Sequence, residues 1–309
     1  MRVWITGYAG FIGRHVIEEL GTRAVAVAGI GNPRAEPPLP PNRRIDAQVS
    51  ERRLERLADL VGTPDVIIHL AGGSSVGPSF NDPAADRDRT VGSTDELLTW
   101  LSRQSLKPRL VVASSAAVYG SGHDGPIPET AATLPVSPYG RHKLIMEDRV
   151  CEMARRHEIP AIIVRLFSVY GRGLTKQFFY DLCGRIKAGE SPVVLAGTGE
   201  ETRDYLHGRD AAALLLAASE HAEPKVPIVN GGSGVASSIA ATAELVASAW
   251  SDRFGCPLRF EFSRDVRPGD PRSLVADVNR IASWGFRPVV LLHCGIADYV
   301  GWFIESFCG

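Results

Sequence analysis

Of the 34 basic residues in this 309-residue sequence only five are lysines, and 35 acidic residues leave a formal net charge of −1 and a pI near 6.7. That balance lacks the broad positive field that draws nucleic acid or an anionic membrane surface, so neither is expected as a partner. Cysteine is sparse too. Cys151, Cys183, Cys256, Cys294 and Cys308 are odd in number, widely spread and free of any C-x-x-C pair, which argues against a disulfide framework or a zinc cluster; no metal site is expected. No uninterrupted apolar run approaches the ~18 residues that span a bilayer. The opening stretch, "MRVWITGYAGFIG", has neither the long apolar segment nor the small-residue cleavage site of a secretory signal, and a cytoplasmic location is the expectation. What remains is the composition of a globular protein, 44% apolar and 22% charged, with a small molecule as the expected partner.

Through the first half, short apolar runs rich in β-branched residues alternate with longer amphipathic stretches, the pattern of βαβ units building a parallel sheet. The expected strands are "RVWIT" (2–6), "AVAVAG" (24–29), "DVIIHLAG" (65–72), "RLVVASS" (109–115) and "AIIVRLFSV" (161–169). Helices are expected from Phe11, over about 84–104 and over about 138–157, the last with Ser137 as cap and Pro138 in the first helical position. "NPRAEPPLPPNRR" (32–44) holds five prolines and reads as an exposed connection. After about residue 170 the alternation fades and charged loops interrupt it. The expected fold class is α/β: a doubly wound parallel sheet over residues 1–170, to which later segments return, and a smaller lobe over 171–309.

"TGYAGFIG" (6–13) places Gly7, Gly10 and Gly13 directly after the first strand and at the opening of a helix. Glycines at this spacing allow a tight turn, close backbone approach to a pyrophosphate and close helix–strand packing, with backbone N–H groups aimed at the phosphates. A glycine-rich turn with no ligand has the same look when taken alone. Asp46, following the short apolar end of an expected third strand, offers an acceptor to an adenine amino group or is a solvated turn residue. "HLAG" (69–72) ends the next strand, where a Rossmann crevice binds its ligand. After the second strand "AGIGNPR" offers no acid for a ribose 2′-hydroxyl but does offer Arg34, which tilts the expectation from NAD towards NADP unless Arg34 is a loop charge.

"SPYGRHK" (137–143) spends one of the five lysines four positions after a tyrosine, so that Tyr139 and Lys143 share one face of a helix. A phenol titrates near 10, but a neighbouring ammonium and an oxidised nicotinamide both favour its anion, which makes Tyr139 a candidate general base. At this composition about 0.1 such matches arise by chance in a chain of this length. Gly140 between them costs about 1 kcal/mol in a helix, a tolerance that a ligand's close approach would explain. "VVASSAAVYG" (111–120) sets Ser114 and Ser115 at the carboxyl end of the preceding strand; Ser115 can bridge a substrate oxygen and the Tyr139 hydroxyl, although spacing alone does not choose between the two serines.

In these residues the sequence resembles the extended short-chain dehydrogenase/reductase family, specifically the nucleotide-sugar epimerases and their relatives. "TGYAGFIG", "DVIIHLAG", "SSAAVYG", "SPYGRHK", "VRLFSVYGRG", "GTGEETRDYLH" and "RPGDPRSLVAD" fall in that family's order and approximate spacing over nearly the whole chain. The resemblance implies that Ser115, Tyr139 and Lys143 are catalytic and that Gly7, Gly10 and Gly13 bind the dinucleotide. Phe11, Ile12, Arg34, Asp46, Ala47, Leu70, Ala71, Gly72 and Leu166, together with Tyr139 and Lys143, complete the expected cofactor contacts. It further implies that Arg203 and Arg267 meet the substrate diphosphate, Asp270 the nucleotide ribose, and Ser74, Ser115, Ser168 and Gln177 the sugar or nucleotide. The alternative for Arg203 is a turn salt-bridged to Asp204.

Departures from the family pattern narrow the chemistry. Dehydratases carry an Asp-Glu pair and decarboxylases a Glu where this chain has Ala116 and Ala117, so dehydration is not expected. The cysteine and histidine of the fucose-synthase branch are also missing. Ser168 and Thr90 stand where asparagines are usual, which bears on how the sugar is oriented. The expected activity is C4 epimerisation of a nucleoside-diphosphate hexose through a transient 4-keto sugar. A 4-ketoreductase consuming NADPH, and a non-catalytic dinucleotide-binding regulator, are the alternatives. A homodimer is expected by analogy with many relatives.

Overall fold

The computed structural model describes residues 1–21, 25–31, 45–49, 53–255, 257–265 and 271–308, which divide into two compact units. The first comprises Met1–Gly120, Glu129–Leu166 and Ala211–Gly231; the second comprises Ser121–Pro128, Phe167–Asp210 and Gly232–Gly309.

Apolar runs such as "VWIT" and "VIIH" are buried at every consecutive position, which requires a strand covered on both faces, as a parallel sheet provides. With strands numbered along the chain, the first unit contains β1 (Arg2–Thr6), β2 (Ala26–Ile30), β3 (Ala47–Val49), β4 (Val66–His69), β5 (Arg109–Ser115), β7 (Ala161–Leu166) and β11 (Ile228–Gly231). They form one parallel sheet in the order β11-β7-β5-β4-β1-β2-β3. The order reverses between β1 and β4, and a doubly wound sheet binds its ligand outside the carboxyl ends of the strands at such a switch point. Trp4 on β1 stacks at 5.1 Å on Trp100 within a core shared with Leu110, Val112, Ile163, Met146 and Val150.

Helices α1 (Phe11–Gly21), α2 (Leu54–Val61), α3 (Val76–Asn81), α4 (Pro83–Arg87), α5 (Ser93–Arg103) and α6 (Pro138–His157) belong to this unit. α6 has the expected ends: the Ser137 hydroxyl accepts from Gly140 N at 3.1 Å, and Arg155, Arg156 and His157 fill the last turn, where cations suit the helix dipole. The single helix expected over 84–104 is instead α4, a π-helical turn over Asp88–Gly92, and α5. Side chains account for the break: the hydroxyls of Ser93 and Thr94 donate back to the carbonyls of Arg89 and Thr90 at 2.6 and 2.7 Å, competing with the backbone ladder.

Two strands are also shorter than their apolar runs. The run 65–72 stops pairing at His69: Leu70 N still reaches Thr6 O at 3.2 Å, but it and Ala71 N also donate to the Thr6 hydroxyl at 3.1 and 3.0 Å, which draws the chain off the ladder. The run 161–169 breaks at Phe167: β7 ends at Leu166, and β8 (Ser168–Tyr170) joins a sheet of the second unit.

In the second unit β10 (Thr202–His207) is central. Its first half pairs antiparallel with β12 (Ala236–Ser238) and parallel with β14 (Ser273–Ala276); its second half pairs parallel with β8. β6 (Pro126–Ile127) extends β14, while β9 (Val193–Leu195) and β13 (Phe260–Phe262) form a separate parallel pair. Buried Asp204 ties this unit together, accepting from Ser233 N, the Ser233 hydroxyl, Gly234 N and Ala276 N at 2.6–3.1 Å. Helices α7 (Gln177–Lys187), α8 (Gly208–Ala218), α9 (Ile239–Phe254), α10 (Asn279–Ser283) and α11 (Leu292–Phe307) complete the chain. No helix among the described residues is long and apolar enough to cross a membrane.

Candidate active site

The glycine loop occupies the switch point. Gly7 has φ +68°, a conformation that disfavours a side chain, and its N–H donates to Ile30 O at 2.8 Å. A Cβ at Gly13 would fall 2.5 Å from the carbonyl oxygens of both Gly7 and Tyr8, and one at Gly7 would fall 3.0 Å from Ala71 N. The turn therefore closes tightly onto α1, leaving bare backbone at the helix start, where Phe11 and Ile12 supply first-turn N–H groups that no preceding helical carbonyl can take. This donor set fits a dinucleotide pyrophosphate.

Across the switch point, the segment after β4 is held by a chain of hydroxyls and one imidazole. The Thr6 hydroxyl bonds His69 Nδ1 at 2.8 Å, His69 Nε2 bonds the Thr94 hydroxyl at 2.8 Å, and Thr94 in turn donates to Thr90 O. Burial, seconded by the Lys143 charge, pushes the His69 pKa down to about 3, so the ring is neutral and Nε2 carries its hydrogen towards Thr94. Leu70, Ala71 and Gly72 are fixed in this way beside the glycine loop. The π-helical turn contributes directly, since the Thr90 hydroxyl accepts from Gly73 N at 2.8 Å.

β5 and α6 bring the three catalytic candidates together. Ser115 ends β5, its hydroxyl accepts from Ala117 N at 3.2 Å, and it is near enough to the Tyr139 hydroxyl to favour the phenolate. Ser114 points elsewhere: it donates to Glu147 at 2.5 Å, and Glu147 is clamped by Arg165 Nε and Nη2 at 3.0 and 2.7 Å. That buried pair resolves which serine is available to a substrate. Lys143 Nζ donates to Ala113 O at 2.9 Å and lies 5.9 Å from the centroid of the Tyr139 ring. A Cβ on Gly72 would fall 3.4 Å from the same ammonium.

Burial raises the Tyr139 pKa; the Ser115 hydrogen bond lowers it and the Asp86 charge raises it further. Burial lowers Lys143 to about 8, against the opposing attraction of Asp86 and Glu147. Each ionisation is costly by itself, so the phenolate and the ammonium depend on one another. Gly140 is explained differently from the expectation. A Cβ there would meet the Ala117 carbonyl oxygen at 2.5 Å, so the close approach belongs to the chain's own backbone.

The remaining expected site residues distribute as follows. Asp46 precedes β3 instead of following it, and its carboxylate accepts from Val27 N at 2.8 Å, a bond that ties β2 to β3. Ala47 begins β3, Leu166 ends β7, and Ser74 is exposed five residues beyond β4. In the second unit, Ser168 begins β8 and Gln177 begins α7 with φ +64°. Arg203 stands in β10, donating to the carbonyls of Thr202 and Pro271 at 2.9 and 2.8 Å, in a strand and not in a turn. Arg34, Arg267 and Asp270 lie outside the described residues. Thr90, singled out for sugar orientation, holds Gly73 N with its hydroxyl; the sequence reading missed Thr6 and the part that His69, within "HLAG", plays in the hydroxyl chain. It also missed Asp86 and His142, a buried pair at 2.7 Å beside the Tyr139 turn. No group of His, Cys, Asp or Glu among the described residues is arranged to hold a metal ion.

Comparison with known proteins agrees with this geometry. Residues 3–232 match the profile of the NAD dependent epimerase/dehydratase family. A UDP-glucose 4-epimerase of Azospirillum brasilense is 28% identical over 301 residues, covering 91% of this chain and 85% of that protein. Among solved structures, MoeE5 in complex with UDP-glucuronic acid and NAD is 30% identical with a TM-score of 0.84, over 99% of this chain and 100% of that one. The UDP-glucuronic acid 4-epimerase from Bacillus cereus, in complex with UDP-glucuronic acid and NAD, is 25% identical with a TM-score of 0.85, over 99% and 100% of the two chains. A Rossmann-type sheet with a glycine loop at its switch point, a Ser-Tyr-Lys set beside that loop and a family profile over residues 3–232 lead to one assignment: this chain belongs to the NAD dependent epimerase/dehydratase family.

Proposed function

We propose that this protein interconverts C4 epimers of a uridine-diphosphate hexose, with NAD retained through the catalytic cycle. The observation that carries the reading is the placement of Tyr139, its ring 5.9 Å from Lys143 Nζ one helical turn on, with Ser115 at the end of β5 and the glycine loop at the switch point of the same sheet. NAD, when bound by the Gly7–Gly13 turn and the Leu70–Gly72 segment, supplies a reversible acceptor for the C4 hydride. Tyr139 takes the proton of the sugar 4-hydroxyl, Ser115 holds that oxygen, and Lys143 supplies the positive charge that makes a phenolate accessible. After the 4-keto sugar has turned over, the hydride would return to the opposite face of C4 while the Tyr139 phenol gives its proton back to the 4-oxygen, which leaves the centre inverted and the cofactor unchanged. Ala116 and Ala117, next to Ser115, have no titratable group, in keeping with epimerisation instead of loss of water.

NAD is preferred to NADP because both solved relatives described above hold NAD, and nothing in the comparisons favours the tilt given by Arg34. Uridine is preferred because the three relatives described above are named for a UDP-sugar or hold one. Ser168, Gln177, Arg203, Arg267 and Asp270 of the second unit are proposed to hold the nucleotide and sugar, and a homodimer is part of the same proposal. The test is incubation of purified protein with UDP-glucose, UDP-galactose and UDP-glucuronic acid, with chromatography of the products. The reading expects a C4 epimer of one of them without net cofactor turnover. Stoichiometric consumption of NADPH with a 4-keto sugar, and no epimer, would establish a reductase in its place.

A further inference from the structure

A carboxylate and an imidazole are buried together directly beside the Tyr139–Lys143 turn, with no part in the proton transfer described above. Asp86 on α4 is 2% exposed and His142, between Tyr139 and Lys143 in sequence, is 9% exposed. His142 Nδ1 donates to Asp86 Oδ2 at 2.7 Å. The second oxygen, Oδ1, is packed on the glycine segment after β4, where a Cβ on Gly73 would fall 1.9 Å from it. Gly72, one residue earlier, lies against Lys143 Nζ, and Gly73 N is held by the Thr90 hydroxyl. One carboxylate thus touches both α6 and the segment that faces the cofactor.

Burying two ionisable groups is costly, and apolar side chains would fill the same space with less desolvation. Their placement gives them an electrostatic consequence that apolar residues would lack. The Asp86 charge favours the Lys143 ammonium and disfavours the Tyr139 phenolate. The first effect helps proton transfer and the second opposes it, so the carboxylate is useful only if its field towards the phenol is restrained. Lys143 on α6 is drawn on by Asp86 and also by Glu147, which is itself bound to Ser114 and Arg165. α3 contributes no titratable side chain, and Asp82, Arg87, Asp88 and Arg89, around α4 and the π-helical turn, are solvent-exposed.

We propose that Asp86 and His142 are a positioning pair for the reaction: Asp86 holds Lys143 charged against the glycine segment, and the His142 N–H bond keeps the Asp86 field from suppressing the Tyr139 phenolate. The pair acts through Tyr139 and Lys143 without touching the sugar. The proposal rests on Tyr139 being the proton-transfer group.

The test uses His142→Leu, which removes the donor; His142→Asn, which keeps an N–H near the Nδ1 position; and Asp86→Asn, which removes the charge at constant shape. Tyrosinate absorbance is titrated in each, with the same variant carrying Tyr139→Phe subtracted so that only Tyr139 is read, and kcat and KM are measured against pH. His142→Leu is expected to raise the Tyr139 midpoint by about one pH unit. The acid limb of kcat should move with it, and kcat near neutrality should fall about tenfold while KM changes little. His142→Asn is expected to recover most of that loss. Asp86→Asn is expected to lower the Tyr139 midpoint and to bring the alkaline limb, where Lys143 loses its proton, to lower pH. A midpoint and limbs that stay at wild-type positions while only the melting temperature drops would reduce the pair to packing and overturn the proposal. The two Asn variants decide the matter should the leucine variant not fold. The outcomes separate cleanly: an active Tyr139→Phe enzyme removes the proposed function, whereas an inactive one with an unmoved midpoint in Asp86→Asn removes the pair alone.

Discussion

Lys143 Nζ donates to Ala113 O at 2.9 Å and stands 5.9 Å from the centroid of the Tyr139 ring, so the ammonium is anchored on the β5 backbone beside the phenol. The anchor sets the lysine's place; the charge acts across space. Replacing Lys143 with Met removes both, and kcat is expected to fall at least about 100-fold, the upper part of the range for losing one charge in a dry site. Lys143→Arg is expected to recover little, because a planar fork does not fit the space shared by Ala113 O and Gly72. Steady-state kinetics on the three proteins checks both statements.

Burial holds Lys143 at about 8, below its ordinary 10.5, so the folded chain binds this proton less well than the unfolded chain. The resulting destabilisation is fully present below pH about 8 and is relieved as pH rises towards 10.5. Denaturant titrations across that window are expected to show this term in the wild type and its absence in Lys143→Met.

His69 gives the acid counterpart. Its pKa is depressed from 6.5 to about 3, so stability is lost as pH falls from 6.5 towards 3, by up to about 1.4 kcal/mol per pH unit. His69→Asn should flatten that dependence while loosening the segment after β4, which is read as faster dissociation of NAD.

How much of this was legible in the sequence depends on the range of the interaction. β1, β5 and α6 were readable to the residue because burial on both faces, a Ser-Pro cap and a basic last turn are local properties. The Tyr139–Lys143 relation was readable because four residues make one helical turn. What escaped depends on partners distant in the chain. Asp86 and His142 are 56 positions apart and each reads alone as a solvated charge. Ser114 and Ser115 are distinguished only by Glu147, and the role of Gly140 only by the Ala117 carbonyl. The π-helical turn arises from hydroxyls that bond backwards, a choice hidden from hydrophobic periodicity.

Glu147 and Arg165 are 2% and 4% exposed, and removing one leaves the other's charge uncompensated. Arg165→Met is expected to cost about 3–5 kcal/mol of unfolding free energy, because it leaves the Glu147 carboxylate buried without its cation. Glu147→Gln, which retains an acceptor for the guanidinium, should cost less. Equilibrium urea unfolding with NAD present and absent separates loss of fold from loss of cofactor.

Gly13→Ala places its Cβ against two carbonyl oxygens at 2.5 Å and should open the turn proposed to receive the pyrophosphate. The expected outcome is a folded protein that no longer copurifies with NAD, scored by circular dichroism and by the absorbance of the released nucleotide.

The most direct measurement is the epimerisation rate of Tyr139→Phe beside wild type, with UDP-glucose, UDP-galactose and UDP-glucuronic acid each supplied to NAD-loaded enzyme. The account predicts interconversion of C4 epimers of one of these by the wild type, and a loss of at least about a thousandfold in the variant with NAD retention unchanged. Epimerisation at undiminished rate without the phenol would contradict it.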